Sequence, residues 1–515
     1  MVLFMKNIHE AELFSTYKKQ FEDNGTLMHI GQLPERAARL YGNLTALISP
    51  NQECTYQQLY ERSSSIAGLL EQKGIKPDQI VLLLSENNIF FYQAYWAIVQ
   101  RGAIVAPLNV FLHPKELAHI IADAQAVTFI ISDHFAQKHA DVLKESGIKL
   151  ITETECNQLS LTGFNAIARD PDKLAALLYT SGTTGFPKGV MLSSRNIIIN
   201  VLQGLVRAEC DHNDRIIAVL PLFHSFAQNT CVWGPMMLGG AVIVVPSIER
   251  RHIWWGMLKN PTVVAGVPSL FGLFCLLKTV PFDSVRYCVS GGDAMPDKIR
   301  TAFALIYRRK IANGYGLTET CPVIAVTTAD VMDDTRVVGK LVHGMECMIK
   351  DGPVVADHKK IGVLWVKGPN VMLGYYNAPD ATAHIMADGW LNTGDLALER
   401  ADGTLLIIGR EKDLIAHKGF KIYPQEVENV LLQHPDVMQV AVIGVDDEAT
   451  GQIPIAFVAL KKDGNASVED LRNWCILHLA LYKVPRHIII KQQLPVTATA
   501  KVDKKVLKAE YERAT

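Results

Sequence analysis

Eleven residues carry the strongest chemical signal in the chain: Tyr179-Thr180-Ser181-Gly182-Thr183-Thr184-Gly185-Phe186-Pro187-Lys188-Gly189. Hydroxyl side chains stand on both sides of Gly182. Glycines let successive backbone N–H groups turn toward one point, and such a nest binds an anion. The hydroxyls add donors and Lys188 adds a positive charge on a long stem, so the stretch suits a polyphosphate chain. It is not the Walker loop, which reads G-x-x-x-x-G-K-[ST]. Here the order is G-x-x-G-x-x-K-G, and no hydroxyl follows the lysine to hold magnesium. The competing reading of such a composition is a Gly/Ser/Thr surface loop.

The elements around this stretch follow from hydrophobic patterning. Leu174 to Leu178 is an apolar run of strand length before the loop, and Val190-Met191-Leu192 leads into Ser193-Ser194-Arg195-Asn196 after it. Residues 1 to about 45 give weak signals. From there helices and strands alternate: Thr55 to Glu71 (helix), Ile80 to Leu84 (strand), Ile89 to Val99 (helix), Ala103 to Ala106 (strand). A helix with Leu117, Ile120, Ile121 and Ala124 on one face follows, then Val127 to Ile131 as a strand. Strands alternating with helices across short turns predict parallel α/β layers.

Several later apolar runs end in polar tips. Ile216 to Phe226 predicts a strand ending near His224. Val263 to Pro268 and Val285 to Val289 read as short strands, the second leading into Ser290-Gly291-Gly292-Asp293-Ala294-Met295-Pro296. Asn313-Gly314-Tyr315-Gly316-Leu317-Thr318-Glu319-Thr320 comes next. Residues 337 to 408 are rich in strand and turn signals, including Gly374-Tyr375-Tyr376 and Gly389 to Asp395. Gly409-Arg410-Glu411-Lys412-Asp413 is short, charged and glycine-led, as a linker would be. A unit of roughly a hundred residues follows, with a helix opening at Pro424, strands at Val440 to Val445 and Ile455 to Leu460, and a Ser467-x-x-Asp470 cap. The expected domains are residues 1–411 and 412–515.

Composition narrows the classes. The chain has 515 residues, 49% of them apolar and 20% charged, which suits a folded protein of two or more domains. Lys+Arg 51 against Asp+Glu 52 gives a formal net charge of −1, so nucleic acid is not expected as the main partner. Nine cysteines occur without a CxxC pair, which argues against zinc and for a reducing compartment. Ile216 to Ile248 has no Lys, Arg, Asp or Glu, but prolines, Gln228, Asn229 and Gly239-Gly240 interrupt it. A buried strand–helix–strand passage explains it better than a membrane span. The first residues lack a signal-peptide core, and a cytoplasmic location is expected.

Taken in order, these stretches resemble the motifs of the acyl-adenylate-forming superfamily: acyl-CoA synthetases, adenylation domains and luciferases. The match runs from about residue 30 to the end, and the chain looks most like a bacterial medium- or long-chain fatty acyl-CoA synthetase. The resemblance implies a large N-terminal domain of layered α/β sheets with a β-rich subdomain, and a small, mobile C-terminal α+β domain. It implies an ATP- and Mg²⁺-dependent ligase that activates a fatty acid as acyl-adenylate and passes it to coenzyme A. Loading of an acyl carrier protein, or a catalytically impaired nucleotide-binding relative, are the rival readings. Peripheral membrane contact and a homodimer stay open.

The roles that the resemblance implies are as follows. Thr180, Ser181, Gly182, Thr183, Thr184, Gly185 and Lys188 hold the β- and γ-phosphates. Glu319 anchors Mg²⁺, and Thr318 donates to the α-phosphate. Tyr315 stacks on adenine with its hydroxyl wet, Gly292, Asp293 and Ala294 line the edge of the base, and Asn313 and Gly316 belong to the same site. Asp395 accepts from the ribose hydroxyls with Arg410 beside it, and His224 faces the substrate carboxylate. Lys501 neutralises the α-phosphate, Gly419 lies beside the pantetheine tunnel, and Lys412 is the hinge. No acid lies between Cys231 and Leu238 to pair with a substrate amine, so an α-amino acid is not expected. Two departures stand out: Ser194 replaces a usual histidine, and Ala500 precedes Lys501 where the family has glycine.

Overall fold

The computed structural model describes residues 2–180, 187–327, 334, 336–350, 361–417, 420–447, 450–496 and 502–514. The expectations for Ser181, Gly182, Thr183, Thr184, Gly185, Gly419, Ala500 and Lys501 fall outside the described residues. The protein is mixed α/β, with a large N-terminal domain and a smaller C-terminal one.

One sheet has seven strands among the described residues. At its centre lies Ile80–Leu84, five apolar residues that are all buried, as a strand covered on both faces requires. It pairs in parallel with Ile104–Pro107 and Thr128–Ile131. Leu174–Thr180 joins in parallel beside Ile104–Pro107, and Lys188–Ser193 returns antiparallel to it. Thr180 and Lys188 are register partners, so the phosphate-loop stretch bridges two strands of a hairpin with its ends pinned opposite each other.

A second sheet has fourteen strands among the described residues. Its middle is parallel, in the order Ala241–Val244, Arg215–Ala218, Val263–Gly266, Tyr287–Ser290 and Ala312–Gly316. From Val323–Val326 outward it becomes antiparallel and takes in Val337–Leu341, Leu405–Arg410, Trp390–Glu399, Gly362–Lys367 and Glu346–Lys350. The β-rich region expected as a subdomain is therefore a continuation of an α/β sheet.

The helix Ser194–Ala208 packs on both sheets, against Leu174–Thr180 and Lys188–Ser193 on one side and Val323–Val326 on the other. Ser193 and Asn196 form a reciprocal capping box at its start, at 3.1 and 2.9 Å. Ile197, Ile198, Ile199, Val201 and Leu202 are all core residues. Its buried amides bond backbone of segments far along the chain. Asn196 Nδ2 donates to the Pro369 and Val371 carbonyls at 2.8 and 3.0 Å. Asn200 donates to the Val323 carbonyl at 2.8 Å and accepts from the Val323 N–H at 3.0 Å and from Asn229 at 3.0 Å. Ser194 Oγ accepts from the Ile30 N–H at 3.2 Å, so the serine that departs from the family pattern ties the N-terminal region to this helix.

The small domain is a five-stranded sheet among the described residues, built on the long pair Val437–Asp447 and Gly451–Leu460. Helices Pro424–Gln433 and Val468–His478 pack on one face through Val427, Leu431, Leu471 and Cys475. Helix Lys504–Ala514 covers the other through Leu507. Ser467 and Asp470 form the expected cap.

Two sequence expectations change. The weakly signalled start of the chain contains the helices Val2–Lys19 and Leu33–Tyr41; the first has no single apolar stripe to reveal it. The linker is shorter than residues 409–413. Gly409 and Arg410 end a strand and pair with Leu396 and Asp395, leaving Glu411–Asp413 as one 3₁₀ turn between the domains. The uncharged passage folds as strand Arg215–Ala218, short helices to Leu238, then strand Ala241–Val244. No described helix is long and apolar enough to cross a membrane.

Asn200 satisfies both backbone groups of Val323 from inside the core. Asn200→Ala strands the Val323 N–H and one N–H of the Asn229 amide, while the Val323 carbonyl keeps its bond from Asn370 and Asn229 its bond to the Cys321 carbonyl, at a cost of about 1–3 kcal/mol. The expected outcome is a clear fall in the urea midpoint of the large domain, followed by tryptophan fluorescence.

Candidate functional site

Four neighbouring parallel strands, Arg215–Ala218, Val263–Gly266, Tyr287–Ser290 and Ala312–Gly316, run side by side. The chain segments that follow their carboxyl ends must therefore emerge at one edge of the sheet, where open α/β sheets bind ligands. Those segments hold His224, Gly292 to Ala294, and Thr318 and Glu319. This topological reason gathers most of the residues singled out in the sequence.

Glu319 lies in the 3₁₀ turn Thr318–Thr320, where Thr320 Oγ1 accepts from the Leu317 N–H at 3.1 Å. The turn is fastened to residues far along the chain. The Met372 N–H donates to the Glu319 carbonyl at 2.9 Å, and Asn370 Nδ2 to the Thr320 carbonyl at 2.7 Å. Tyr375 Oη donates to Glu319 Oε1 at 2.6 Å. The same tyrosine ring lies under Lys188 Nζ at 5.5 Å from its centroid, within cation–π range. Burial, and then the Glu319 carboxylate, push the Tyr375 phenol far above its ordinary range, so it stays a donor. Thr318 Oγ1 is 3.3 Å from Ser225 Oγ, which joins the turn to the residue after His224.

Tyr315 and Asp395 form a second phenol–carboxylate pair. Tyr315 Oη donates to Asp395 Oδ2 at 2.6 Å, and Arg410 Nε stands 3.2 Å from Asp395 Oδ1. The Tyr315 hydroxyl is therefore engaged by a buried carboxylate and is not wet as expected. Burial and Asp395 hold that phenol well above its usual range. Asp395 and Arg410 meet because they are register partners on adjacent strands. Gly316 permits the close hairpin that follows Tyr315: a Cβ there would come within 1.7 Å of the Pro322 carbonyl oxygen.

The remaining residues take varied positions. His224 caps the short helix Ser225–Ala227, its Nδ1 accepting from the Phe226 N–H at 3.3 Å. Gly292 has φ +82°, a left-handed conformation that favours glycine, and Asp293 Oδ1 accepts from the Ala294 N–H at 2.8 Å on the exposed rim. Asn313 is buried in the sheet, with Nδ2 donating to the Val337 carbonyl at 3.1 Å and its N–H to Thr327 Oγ1 at 2.7 Å. These contacts hold strands together. Thr180 ends its strand directly opposite Lys188. Lys412 lies in the interdomain turn.

Sequence reasoning missed Tyr375, which stood only as part of a Gly-Tyr-Tyr turn signal, and it is 56 residues from Glu319. It also missed Ser225, Ser290 and Lys504. Ser290 Oγ is buried at the end of its strand with no hydrogen-bond partner among the described residues. Lys504 Nζ pairs with Glu428 Oε1 at 2.6 Å, and Asp413 and Asp293 add to the field that holds its ammonium charged against burial. Nothing local in the sequence signals any of these pairings.

Among the described residues no three His, Cys, Asp or Glu side chains stand together to hold a metal by themselves. A cation at Glu319 would take its other oxygens from phosphate and water, which is the habit of Mg²⁺. The arrangement thus offers an anchored acid, a lysine at the exit of a glycine-rich hairpin and an aromatic–acid pair across the sheet edge.

Comparison with known proteins agrees with this geometry. The AMP-binding enzyme model matches residues 34–376, and the AMP-binding enzyme C-terminal domain model matches residues 426–501. The chain is 30% identical to a long-chain-fatty-acid–CoA ligase of Salmonella typhimurium, over 93% of this chain and 94% of that protein. It is also 30% identical to a feruloyl-CoA synthase of Amycolatopsis, over 94% of this chain and 98% of the relative. Among solved structures, o-succinylbenzoate coenzyme A synthetase of Bacillus subtilis in complex with ATP and magnesium superposes with a TM-score of 0.84. That likeness is at 26% identity and covers 93% of this chain and 99% of that one. With two thirds of its length matched by the catalytic-domain model, the smaller domain matched as well, and relatives aligned almost end to end, this chain belongs to the AMP-binding enzyme family of acyl-adenylate-forming CoA ligases.

Proposed function

We propose that the protein activates a medium- or long-chain fatty acid with ATP and transfers the acyl group to coenzyme A. The observation that carries the activation chemistry is the joint placement of Glu319 and Lys188 on Tyr375, at the edge where Thr318 and His224 also emerge. The substrate class is supported by the passage from Ser225 to Leu238, which carries no Asp, Glu, Lys or Arg and so offers a substrate amine no acidic partner. It is supported also by the similarity to the long-chain-fatty-acid–CoA ligase of Salmonella typhimurium.

The chemistry is balanced in two steps. A carboxylate oxygen of the acid attacks the α-phosphorus of ATP, the bond to the β-phosphate bridge breaks, and pyrophosphate leaves. The coenzyme A thiol then gives up its proton and attacks the acyl carbon, and AMP leaves with the carboxyl oxygen. The first step is mainly positioning and charge neutralisation. Thr180, Lys188 and the loop Ser181 to Gly185 grip the β- and γ-phosphates, and Thr318 donates to the α-phosphate. Mg²⁺, held by Glu319 and phosphate oxygens, supplies Lewis-acid neutralisation when bound. Tyr315 presents its face to adenine between Gly292-Asp293-Ala294 and Gly316, with Asn313 bracing the strand. Asp395, fixed by Tyr315 and Arg410, receives the ribose hydroxyls. His224 faces the acid.

The domains, bounded at 411/412, alternate about the turn that contains Lys412. One closure brings Lys501 to the α-phosphate; the other brings Gly419 to the thiol path. A second reading, an aryl acid as substrate, is favoured by one observation: the feruloyl-CoA synthase is as similar in identity as the fatty-acid ligase.

Glu319→Gln removes one charged ligand while keeping its shape. Acid-dependent ATP–pyrophosphate exchange is expected to fall by roughly 100-fold or more with the fold intact by circular dichroism. A panel of octanoate, palmitate, ferulate and benzoate, scored for AMP release with and without coenzyme A, is expected to favour the two fatty acids and to require the thiol for turnover. Faster release with ferulate or benzoate reassigns the substrate class. For the alternation, Lys501→Ala is expected to abolish adenylate formation yet convert supplied acyl-adenylate to thioester. Gly419→Leu is expected to do the reverse, and equal loss of both half-reactions in both variants would refute the two-state scheme.

A further inference from the structure

Glu319 and Lys188 stand on different elements, the turn Thr318–Thr320 and the strand Lys188–Ser193, which lie against each other. Residues 372–376 connect them. The Met372 N–H donates to the Glu319 carbonyl at 2.9 Å, the Leu373 N–H to the Met191 carbonyl at 2.9 Å, and the Tyr376 N–H to the Gly189 carbonyl at 2.8 Å. Tyr375 is the register partner of Val190, so its side chain is fixed beside the strand that starts at Lys188. The segment is locked from behind as well. Thr382 Oγ1 accepts from the Tyr375 N–H at 2.9 Å, and Gly374 has φ +138°, where a Cβ would come within 3.0 Å of Thr382. The aromatic side chain then makes two contacts with different chemistry: the hydroxyl binds Glu319 Oε1 at 2.6 Å, and the ring lies 5.5 Å from the Lys188 ammonium.

We propose that Tyr375 is a positioning residue for adenylation: its hydroxyl aims the Glu319 carboxylate at Mg²⁺, and its ring holds Lys188 at the phosphates. This rests on the function proposed above and names a residue through which that site is assembled. The hydrogen bond occupies one carboxylate oxygen and fixes the torsion of the other, Oε2. A phenol suits this task better than a lysine or arginine. It orients the acid without cancelling the charge that a divalent cation needs. Outer partners of metal-binding carboxylates set ligand orientation, and their removal commonly costs 10- to 100-fold in metal affinity.

The two contacts separate by substitution. Tyr375→Phe keeps the ring and removes the hydroxyl; Tyr375→Leu removes both. For Tyr375→Phe, the Mg²⁺ concentration giving half-maximal pyrophosphate exchange is expected to rise on the order of tenfold, with the KM for the acid unchanged. Calorimetry of ATP binding in EDTA is expected to match the parent protein, while the gain in ATP affinity on adding Mg²⁺ shrinks. Tyr375→Leu is expected to weaken ATP binding several-fold even in EDTA, because Lys188 loses its platform. In a Glu319→Gln background, Tyr375→Phe is expected to add nothing, since the hydroxyl acts through that carboxylate. A parent-like Mg²⁺ midpoint in Tyr375→Phe, or an undiminished effect of that change in the Glu319→Gln background, overturns the proposal. A parent protein that exchanges pyrophosphate with no carboxylic acid overturns the ligase reading instead, and the calorimetric Mg²⁺ dependence then still tests Tyr375.

Discussion

Irregular backbone inside a protein needs hydrogen-bond partners, and this molecule supplies them from one buried helix. Ser194–Ala208 lies against both large sheets and carries Asn196, Asn200 and Gln203 among its isoleucines and valines. An unpaired buried amide would be costly, so each must face a hydrogen-bond partner. Those partners are the Pro369 and Val371 carbonyls, both backbone groups of Val323, and the His343 carbonyl at 2.5 Å from Gln203. Asn370 completes the network from the opposite side, donating to the Thr320 and Val323 carbonyls. The turn that holds Glu319 and the segment that leads to Tyr375 are therefore set by the same polar lattice. Precision at the surface of the site originates in the core beneath it.

A phosphate-handling site must keep acids charged and aimed while leaving them free of neutralising partners. Here two carboxylates are aimed in the same way. Glu319 and Asp395 each accept from a phenol at 2.6 Å, from Tyr375 and Tyr315 respectively. Burial drives both phenols upward, so they remain donors at any ordinary pH. The pairs differ in what else is present. Asp395 has Arg410 at 3.2 Å, which suits an acceptor of neutral hydroxyls that needs no free charge. No cation of the protein stands within ion-pair distance of Glu319 among the described residues; Lys188 is placed over the tyrosine ring beside it. This is the electrostatic arrangement that a metal-anchoring acid requires.

The connection between the domains is shorter than a flexible tether. Strand pairing runs through Arg410, and the small domain's sheet begins at Ile415, so the Glu411–Asp413 turn carries the chain across. Lys504, paired with Glu428 and in the field of Asp413 and Asp293, places a charge of the small domain toward both the turn and the segment Gly292 to Ala294.

The elements and the chemistry were legible in the sequence for a local reason. Strands such as Ile80–Leu84 are buried on both faces and read as unbroken apolar runs, and the glycine-hydroxyl-lysine stretch is contiguous, so its resemblance to the family is visible in the sequence itself. Family motifs at Thr318-Glu319 and Asp395 are likewise contiguous. The helix Val2–Lys19 was illegible because its apolar residues share no stripe, and the span of the linker was misjudged because strand pairing at Gly409 and Arg410 depends on a partner strand elsewhere. What tertiary structure alone decided are the contacts made across the chain. Tyr375 meets Glu319 and Lys188, Ser225 meets Thr318, and the Tyr315 hydroxyl turns to Asp395. Local pattern fixes which residues can form a strand or a phosphate loop; only sheet order and register determine which distant side chain stands beside each acid.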